Sequence, residues 1–130
     1  MAWKRYRRED NRVEEIWVSL GKEREGYYTL LEGEELEGYF ERLVESEKFD
    51  RPILSLLSFD HQVRYLLFTP PSLARVLEDI EEKYGTGIGL RLVYNGKKTY
   101  EREDGQKITY HSFDVEYDEE LQLDTSGGKS

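Results

Sequence analysis

Residues 88–117 read IGLRLVYNGKKTYEREDGQKITYHSFDVEY, and this stretch decides the fold that the sequence predicts. Apolar and polar side chains alternate along it, which is the two-residue period of a strand with one buried face. The pairs Asn95-Gly96 and Asp104-Gly105 interrupt the alternation, and such pairs are the strongest short-range signal of a tight hairpin. We therefore predict a three-stranded antiparallel meander with two-residue turns. Its strands cover residues 88–94, 97–103 and 106–117.

Two-residue turns would fix the register of the meander, and the register decides which side chains share a face. Counting outward from the turns places an apolar face toward the predicted helices. The opposite face brings together four cations with an aromatic ring and an imidazole, and it contains no carboxylate. Its members are Arg91, Lys98, Tyr100, Arg102, Lys107 and His111.

Further strands are predicted before the meander. Residues 12–20 and 27–31 have the alternation and aromatic character of strands, and Gly21 and Gly26 bracket the polar loop between them. These two strands predict an N-terminal hairpin. Residues 63–68 are apolar at nearly every position, which is typical of a central strand.

Helices are predicted on either side of that central strand. Residues 33–48 place apolar side chains at spacings of three and four, which predicts an amphipathic helix. A second helix begins after Pro70 and ends at Gly85, a residue type favoured at helix C-termini. Residues 49–60 fit either a short helix or a buried strand. The predicted fold class is α+β, a single domain whose antiparallel sheet (N-terminal hairpin plus C-terminal three-stranded meander) carries two or three helices on one face.

The charges are distributed unevenly along the chain. The formal net charge is −9, yet residues 1–12 contain five basic and two acidic side chains. Residues 118–130 combine acidic side chains with serine and glycine, so we predict a flexible acidic tail there. The predicted single domain covers residues 1–117, and residues 1–12 are its basic head. Both ends also fit a simpler interpretation as solvated segments that keep the chain soluble.

Composition excludes several classes of protein. The chain contains no cysteine, which excludes disulfides, thiol nucleophiles and cysteine-ligated zinc. No apolar stretch approaches the ~18 residues of a membrane span, and the N-terminus lacks the pattern of a secretion signal. We therefore predict an intracellular, cytoplasmic protein. Its high charge and lack of cysteine also suit a thermophile.

Signatures of catalysis are poor. His61 and His111 are the two histidines, and neither stands in the spacing of a nucleophile triad or a metal motif. Gly85, Gly87 and Gly89 follow a helix and enter a strand, whereas a dinucleotide-binding loop has the opposite order. We predict no catalytic residues, no cofactor and no metal site.

The cations and rings of the predicted face are the groups that a single nucleic-acid strand needs, because bases stack on aromatic rings and phosphates bind Lys and Arg. We therefore predict a non-enzymatic protein that binds single-stranded nucleic acid, with DNA favoured. The basic head would extend the binding track with Trp3, Lys4, Arg5, Tyr6, Arg7 and Arg8.

The Arg-rich and aromatic head, together with Trp17, Tyr27 and Tyr28 of the predicted strands, resembles the ThermoDBP single-stranded DNA-binding proteins of hyperthermophilic archaea. The resemblance implies a small α+β domain, a strand-binding cleft of apolar and basic residues, and assembly as an oligomer. The C-terminal leucine zipper of that family's archetype is missing, because residues 118–130 contain only two leucines. The resemblance therefore does not extend to zipper-type dimerisation.

Other functions stay open. A protein-interaction module, such as a viral or regulatory inhibitor, would use the acidic surface and tail to engage a basic partner. A small enzyme would use His61 or His111 with nearby carboxylates. The polar face also has a purely structural interpretation, in which Tyr100 covers the methylene stems of its Arg neighbours.

Overall fold

Seven strands and one helix form in the part of the chain that the computed structural model describes, residues 13–46 and 51–123. In chain order they are β1 (Glu14–Leu20), β2 (Tyr27–Leu30), β3 (Glu35–Val44), β4 (Ile53–Leu57), β5 (Val63–Phe68), α1 (Pro71–Tyr84), β6 (Ile88–Glu101) and β7 (Lys107–Gln122). The strands make one mixed sheet that curls into a half-barrel, in the order β2-β1-β5-β4-β3-β6-β7. The domain is mostly β. Its sheet contains parallel pairs and its described residues form one helix, so the predicted purely antiparallel sheet with two or three helices is wrong.

The hairpin predicted at Asn95-Gly96 is absent, because β6 runs through both residues. Backbone hydrogen bonds hold this part of β6 extended. The Tyr94 N–H donates to the Glu34 carbonyl at 3.0 Å, and the Gly33 N–H donates to the Tyr94 carbonyl at 2.7 Å. The Asn95-Gly96 pair instead forms a bulge with one extra residue relative to β7. The positive φ of 83° at Gly96 suits such a bulge, and the predicted three-stranded meander becomes a two-stranded one.

The second predicted turn is present, but its loop has three residues rather than two. The Gly105 N–H donates to the Arg102 carbonyl at 2.9 Å, and the Arg102 N–H donates to the Gln106 carbonyl at 2.8 Å. Glu101 therefore pairs with Lys107, and the pairs that follow are displaced by one position from the predicted register. A displacement of one position moves a side chain to the opposite face of a sheet.

The N-terminal strands pair in parallel, so the predicted N-terminal hairpin is also wrong. β1 lies between β2 and β5, and Trp17 sits opposite Tyr27 on one side and Leu66 on the other. Residues 21–26 connect β1 to β2, and six extended residues span roughly 20 Å, which lets the chain return along a short strand. The pairs β3–β4, β3–β6, β4–β5 and β6–β7 are antiparallel.

The segment predicted as a helix over residues 33–48 contains strand β3 instead. Leu36 and Phe40 are buried on the core face, and a bulge after Phe40 inserts Glu41 and reverses the alternation. Leu43 then packs against the same core. A strand with this bulge places apolar residues at spacings of four and three, so its sequence pattern matches the period of a helix.

The remaining elements agree better with the sequence pattern. Of the two alternatives for residues 49–60, the buried strand is correct and forms β4. Strand β5 covers the predicted residues 63–68. The second predicted helix is confirmed as α1, with a proline at its first position and Gly85 after its last residue. It is the only helix within the described residues.

The core lies between α1 and the sheet. Its largest fully buried side chains include Phe40 and Tyr94. The predicted apolar face of residues 88–94 is confirmed, because Leu90 and Leu92 are also buried. Tyr110, which neighbours His111 and therefore falls on the apolar face in the predicted register, is 38% exposed.

Strand β7 continues to Gln122, beyond the predicted domain boundary at residue 117. The predicted basic head (residues 1–12) and the tail residues 124–130 lie outside the described part of the chain. No helix in the described part is long and apolar enough to cross a membrane.

Candidate nucleic-acid interface

The predicted binding face is divided, because the observed register places its members on two faces. His111 lies opposite Lys97 rather than Lys98. Opposite residues of an antiparallel pair share a face, and neighbours along a strand alternate between faces. Lys98 and Tyr100 therefore share one face of the β6–β7 ribbon, by which we mean residues 97–111. Lys107 and His111 lie on the other face.

Arg91 is surrounded by carboxylates. Its guanidinium lies 3.1 Å from Glu37 and 3.0 Å from Glu116, and Glu35 is 3.7 Å away. The hydrogen bonds to Glu37 and Glu116 raise the pKa of Arg91 above its ordinary value. Because three carboxylates outnumber one guanidinium, a phosphate would meet net negative charge here. Arg91 is therefore a poor phosphate-binding residue.

The other members of the predicted set are scattered. Arg102 and Lys107 are exposed at the hairpin end of the ribbon and line none of the clefts described below. The residues of the basic head lie outside the described part of the chain. These are Trp3, Lys4, Arg5, Tyr6, Arg7 and Arg8.

A cleft of about 670 Å³ lies between the start of α1 and the β6–β7 ribbon. We call it the Arg–Tyr cleft, because its lining contains two arginines and two exposed tyrosines and no carboxylate from the described residues. The lining residues are Arg51, Pro70, Pro71, Ser72, Arg75, Tyr100, Ile108, Thr109, Tyr110 and His111. Two members of the predicted face, Tyr100 and His111, therefore both line this cleft, although the ribbon carries their side chains on opposite faces.

The start of α1 positions one wall of the Arg–Tyr cleft. Pro71 occupies the first helical position, where its missing N–H costs no helical hydrogen bond. Ser72 and Arg75 are three residues apart and so lie on the same side of the helix. The Ser72 hydroxyl donates to the carbonyl oxygen of His111 at 3.3 Å and ties the helix to β7.

Two arginines carry the positive charge of this cleft. Arg51 and Arg75 are both exposed. No carboxylate in the described ranges lies within 4 Å of either guanidinium. Arg64 and Arg91, by contrast, are each held by at least two carboxylates. Within the described residues, the two guanidiniums of the cleft therefore have no ion-pair partner.

Two tyrosines supply its aromatic surface. The rings of Tyr100 and Tyr110 meet edge to face, with centroids 5.9 Å apart. They are 53% and 38% exposed, respectively. The register makes them diagonal neighbours across the ribbon, a separation that aromatic side chains can bridge. Rings this exposed leave aromatic surface on which a nucleobase can stack.

His111 lies where the cleft meets the core. Its Nδ1 is 2.7 Å from the hydroxyl of Tyr94, which is 1% exposed. Burial lowers the pKa of His111 below its ordinary value, and the charges of Lys97 and Arg51 lower it further. Both effects favour the neutral imidazole, which offers the cleft a polar contact rather than a cation.

A second polar cluster links strands β1, β3, β4 and β5. Arg64 donates from Nε and Nη2 to the two carboxylate oxygens of Glu41, at 2.7 and 2.8 Å. Ser55 donates to the same carboxylate at 2.6 Å, and Arg64 also reaches Glu15 at 3.1 Å. These groups satisfy one another, so the cluster is structural. No three His, Asp or Glu side chains of the described residues are grouped to hold a metal ion.

Sequence reasoning missed Arg51 and Arg75, the two cations of the cleft. Arg51 precedes a segment whose pattern is ambiguous, and Arg75 is one of several charged residues on the polar side of α1. No local signal distinguishes them, because the pairing of β4 with β5 is what brings Arg51 beside the start of α1.

No family model matches this chain, and no curated protein or solved structure is significantly similar to it. The side chains of the cleft are therefore the basis on which a function can be assigned.

Proposed function

We propose that the Arg–Tyr cleft binds single-stranded nucleic acid, with DNA favoured, and that the protein is not an enzyme. The observation that carries the proposal is the pairing of exposed aromatic rings with arginines that lack carboxylate partners among the described residues. This arrangement occurs in a chain whose net charge is −9. A cleft without carboxylates is therefore unusual for this surface.

The two tyrosines support binding through bases. A base stacked on an aromatic side chain contributes ~1–3 kcal/mol, and every base offers a π-face, so such binding tolerates many sequences. Duplex DNA keeps its base faces stacked inside the helix, whereas a single strand exposes them. Tyr100 and Tyr110 therefore favour single strands over duplexes.

The two arginines support binding through phosphates. A guanidinium is always charged and can donate two parallel hydrogen bonds to one phosphate. Arg51 lies before β4 and Arg75 lies on α1, so they approach the tyrosines from separate elements. Phosphates on either side of a stacked base could each meet one guanidinium.

A protein-interaction function has one specific observation in its favour. Strand β7 forms an edge of the sheet, and residues 114–120 include five exposed carboxylates. An edge strand can bind an extended peptide through its backbone, and this charge would select a basic one. Binding of a lysine-rich peptide without binding of oligonucleotides would favour this second function.

The test uses fluorescence anisotropy of labelled oligothymidine over a series of salt concentrations. The first variant carries Arg51→Ala with Arg75→Ala, and the matched control carries Arg102→Ala with Lys107→Ala. Both variants lose two exposed cations, but only the first loses them from the cleft. We expect the first variant to bind more weakly and to have a salt slope smaller by about 1.4, or ~0.7 for each lost phosphate contact. We expect the control to bind like the unchanged protein.

Equal losses in the two variants would mean that general surface charge drives binding, and the proposal would be wrong. Weaker oligothymidine binding by the control variant alone would instead place the binding site at the hairpin end of the ribbon. Absence of oligonucleotide binding by the unchanged protein would reject the function itself.

A further inference from the structure

A second cleft, of about 760 Å³, lies where the loops after β1 and β2 meet the bulge of β6. We call it the Lys–Gly cleft, because its lining includes two lysines and two glycines. The lining residues used below are Gly21, Lys22, Glu32, Tyr94, Lys97 and His111. Its groups take no part in the structural cluster around Arg64.

The Lys–Gly cleft and the Arg–Tyr cleft meet at one residue. The imidazole of His111 is hydrogen-bonded to the Tyr94 hydroxyl in the lining of the Lys–Gly cleft. The carbonyl oxygen of His111 accepts the hydrogen bond of Ser72 in the lining of the Arg–Tyr cleft. His111 therefore lines both clefts, and the two clefts are neighbours at this residue.

The charge of the two clefts is complementary to a polyanion. Lys22 and Lys97 are exposed in the Lys–Gly cleft, and Glu32 is its single carboxylate among the described residues. Together the two clefts contain four Lys and Arg side chains and one carboxylate. The whole chain contains 19 basic and 28 acidic side chains, so this ratio is reversed at the clefts. Local charge of this kind attracts phosphate groups.

Glycine, which has no side chain, forms part of the lining of the Lys–Gly cleft. Gly21 has a positive φ of 73°, and a Cβ at this position would lie 3.3 Å from the Tyr94 hydroxyl. The glycine therefore keeps the cleft open above the Tyr94–His111 hydrogen bond. Tyr94 itself is almost fully buried, so this cleft presents no exposed aromatic ring from the described residues.

We infer that the Lys–Gly cleft is a second segment of the same binding path, which holds the phosphates of a strand whose bases stack in the Arg–Tyr cleft. This inference rests on the proposed function. With lysines but no exposed ring, the second segment contributes phosphate contacts and no stacking. It therefore adds affinity only for a strand that is long enough to pass His111, and the added affinity depends steeply on salt.

The experiment compares two labelled oligothymidines, of about 4 and about 12 nucleotides, which lie within the range of ~4–16 nucleotides per small binding domain. The test variant carries Lys22→Ala with Lys97→Ala. The matched control carries Lys83→Ala with Lys107→Ala, two exposed lysines that line neither cleft. All proteins are the full chain, and circular dichroism with thermal melting establishes that each variant is folded.

For the unchanged protein we expect the longer strand to show a salt slope steeper by about 1.4 than the shorter strand, from ~0.7 for each of two lysine contacts. A longer strand also offers more registers, but registers raise affinity without changing the slope. The test variant should bind the longer strand with the slope of the shorter one, and its affinity for the shorter strand should be unchanged. The control should behave like the unchanged protein.

Two outcomes would overturn this inference while leaving the proposed function in place. In one, both strands bind with the same salt slope and the Lys22 and Lys97 substitutions have no effect. In the other, the control loses as much slope as the test variant, which would indicate general surface attraction. Failure of both strands to bind the unchanged protein would instead reject the proposed function.

Discussion

The hydroxyl of Tyr94 and the Nδ1 of His111 are 2.7 Å apart, and this hydrogen bond joins the buried core to both clefts. Tyr94 also exchanges backbone hydrogen bonds with Gly33 and Glu34, at the place where β6 bulges. Tyr94 therefore positions His111 of β7 and also fixes the path of its own strand, β6.

Replacement of Tyr94 by Phe should reduce the free energy of unfolding by ~0.5–1.5 kcal/mol, because the hydrogen bond to His111 is lost while the ring still fills the core. Urea denaturation measures the change. Tyr28→Phe is the control, since the half-buried Tyr28 makes no hydrogen bond from its hydroxyl to the described residues. Equal effects of the two substitutions would show that the Tyr94–His111 contact contributes nothing.

The pKa of His111 leads to a prediction about pH. Because burial and the nearby Lys97 and Arg51 lower this pKa in the folded protein, the unfolded chain binds the proton more tightly. The stabilisation is complete above about pH 6.5, the ordinary value, and decreases as the pH falls toward the folded-state pKa. Between about pH 7.5 and 5.5, the unchanged protein should lose more free energy of unfolding than His111→Gln does.

Urea denaturation at the two pH values checks this difference, and an NMR titration of His111 checks the direction of its pKa. Other groups titrate in both proteins, so their contributions cancel in the comparison. Identical losses in the two proteins would contradict the prediction.

The pair Glu41 and Arg64 should couple strongly. Their side chains are only 18% and 21% exposed, and two hydrogen bonds join them. A double-mutant cycle with Glu41→Gln and Arg64→Gln should give a coupling free energy of ~1–3 kcal/mol, typical of a charge-assisted hydrogen bond. The cycle for Arg91 and Glu116, which are about half exposed or more, should give a smaller value.

This pair also predicts a loss of stability in acid. The hydrogen bond from Arg64 lowers the pKa of Glu41, so its stabilising contribution is present above the ordinary carboxyl pKa. The contribution is lost as the pH falls through the folded-state value. Glu41→Gln should therefore lose less stability than the unchanged protein on acidification. A greater loss in the variant would contradict the lowered pKa of Glu41.

Stacking in the Arg–Tyr cleft makes a prediction that charge alone does not. Tyr100→Ala should weaken oligothymidine binding by ~1–3 kcal/mol at constant net charge, whereas Tyr100→Phe should retain most of the affinity. Tyr117→Ala removes a similarly exposed ring that lies outside the cleft and serves as control. Anisotropy titrations measure all three. Equal binding by Tyr100→Ala and the unchanged protein would contradict a stacking role.

The sequence predictions agree with the structure where the residues of one short segment are enough to define an element. Helix α1 is predictable because a proline begins it, Gly85 follows it and its apolar residues recur with the helical period. The burial of residues 88–94 is predictable from their alternation. The turn at Gly105 is likewise local, although a one-residue difference in its loop was enough to separate Lys98 from His111.

Helix α1, the buried alternation of residues 88–94 and the turn at Gly105 follow from the sequence alone, because each depends on interactions between near neighbours. The tertiary structure made residues 35–44 a strand, since the bulge at Glu41 gives this strand the spacing of a helix. It also decided the candidate site. Arg51 and Tyr100 are far apart in sequence. They line one cleft only because β4 pairs with β5 beside the start of α1 and α1 packs against β7, contacts that no local pattern encodes.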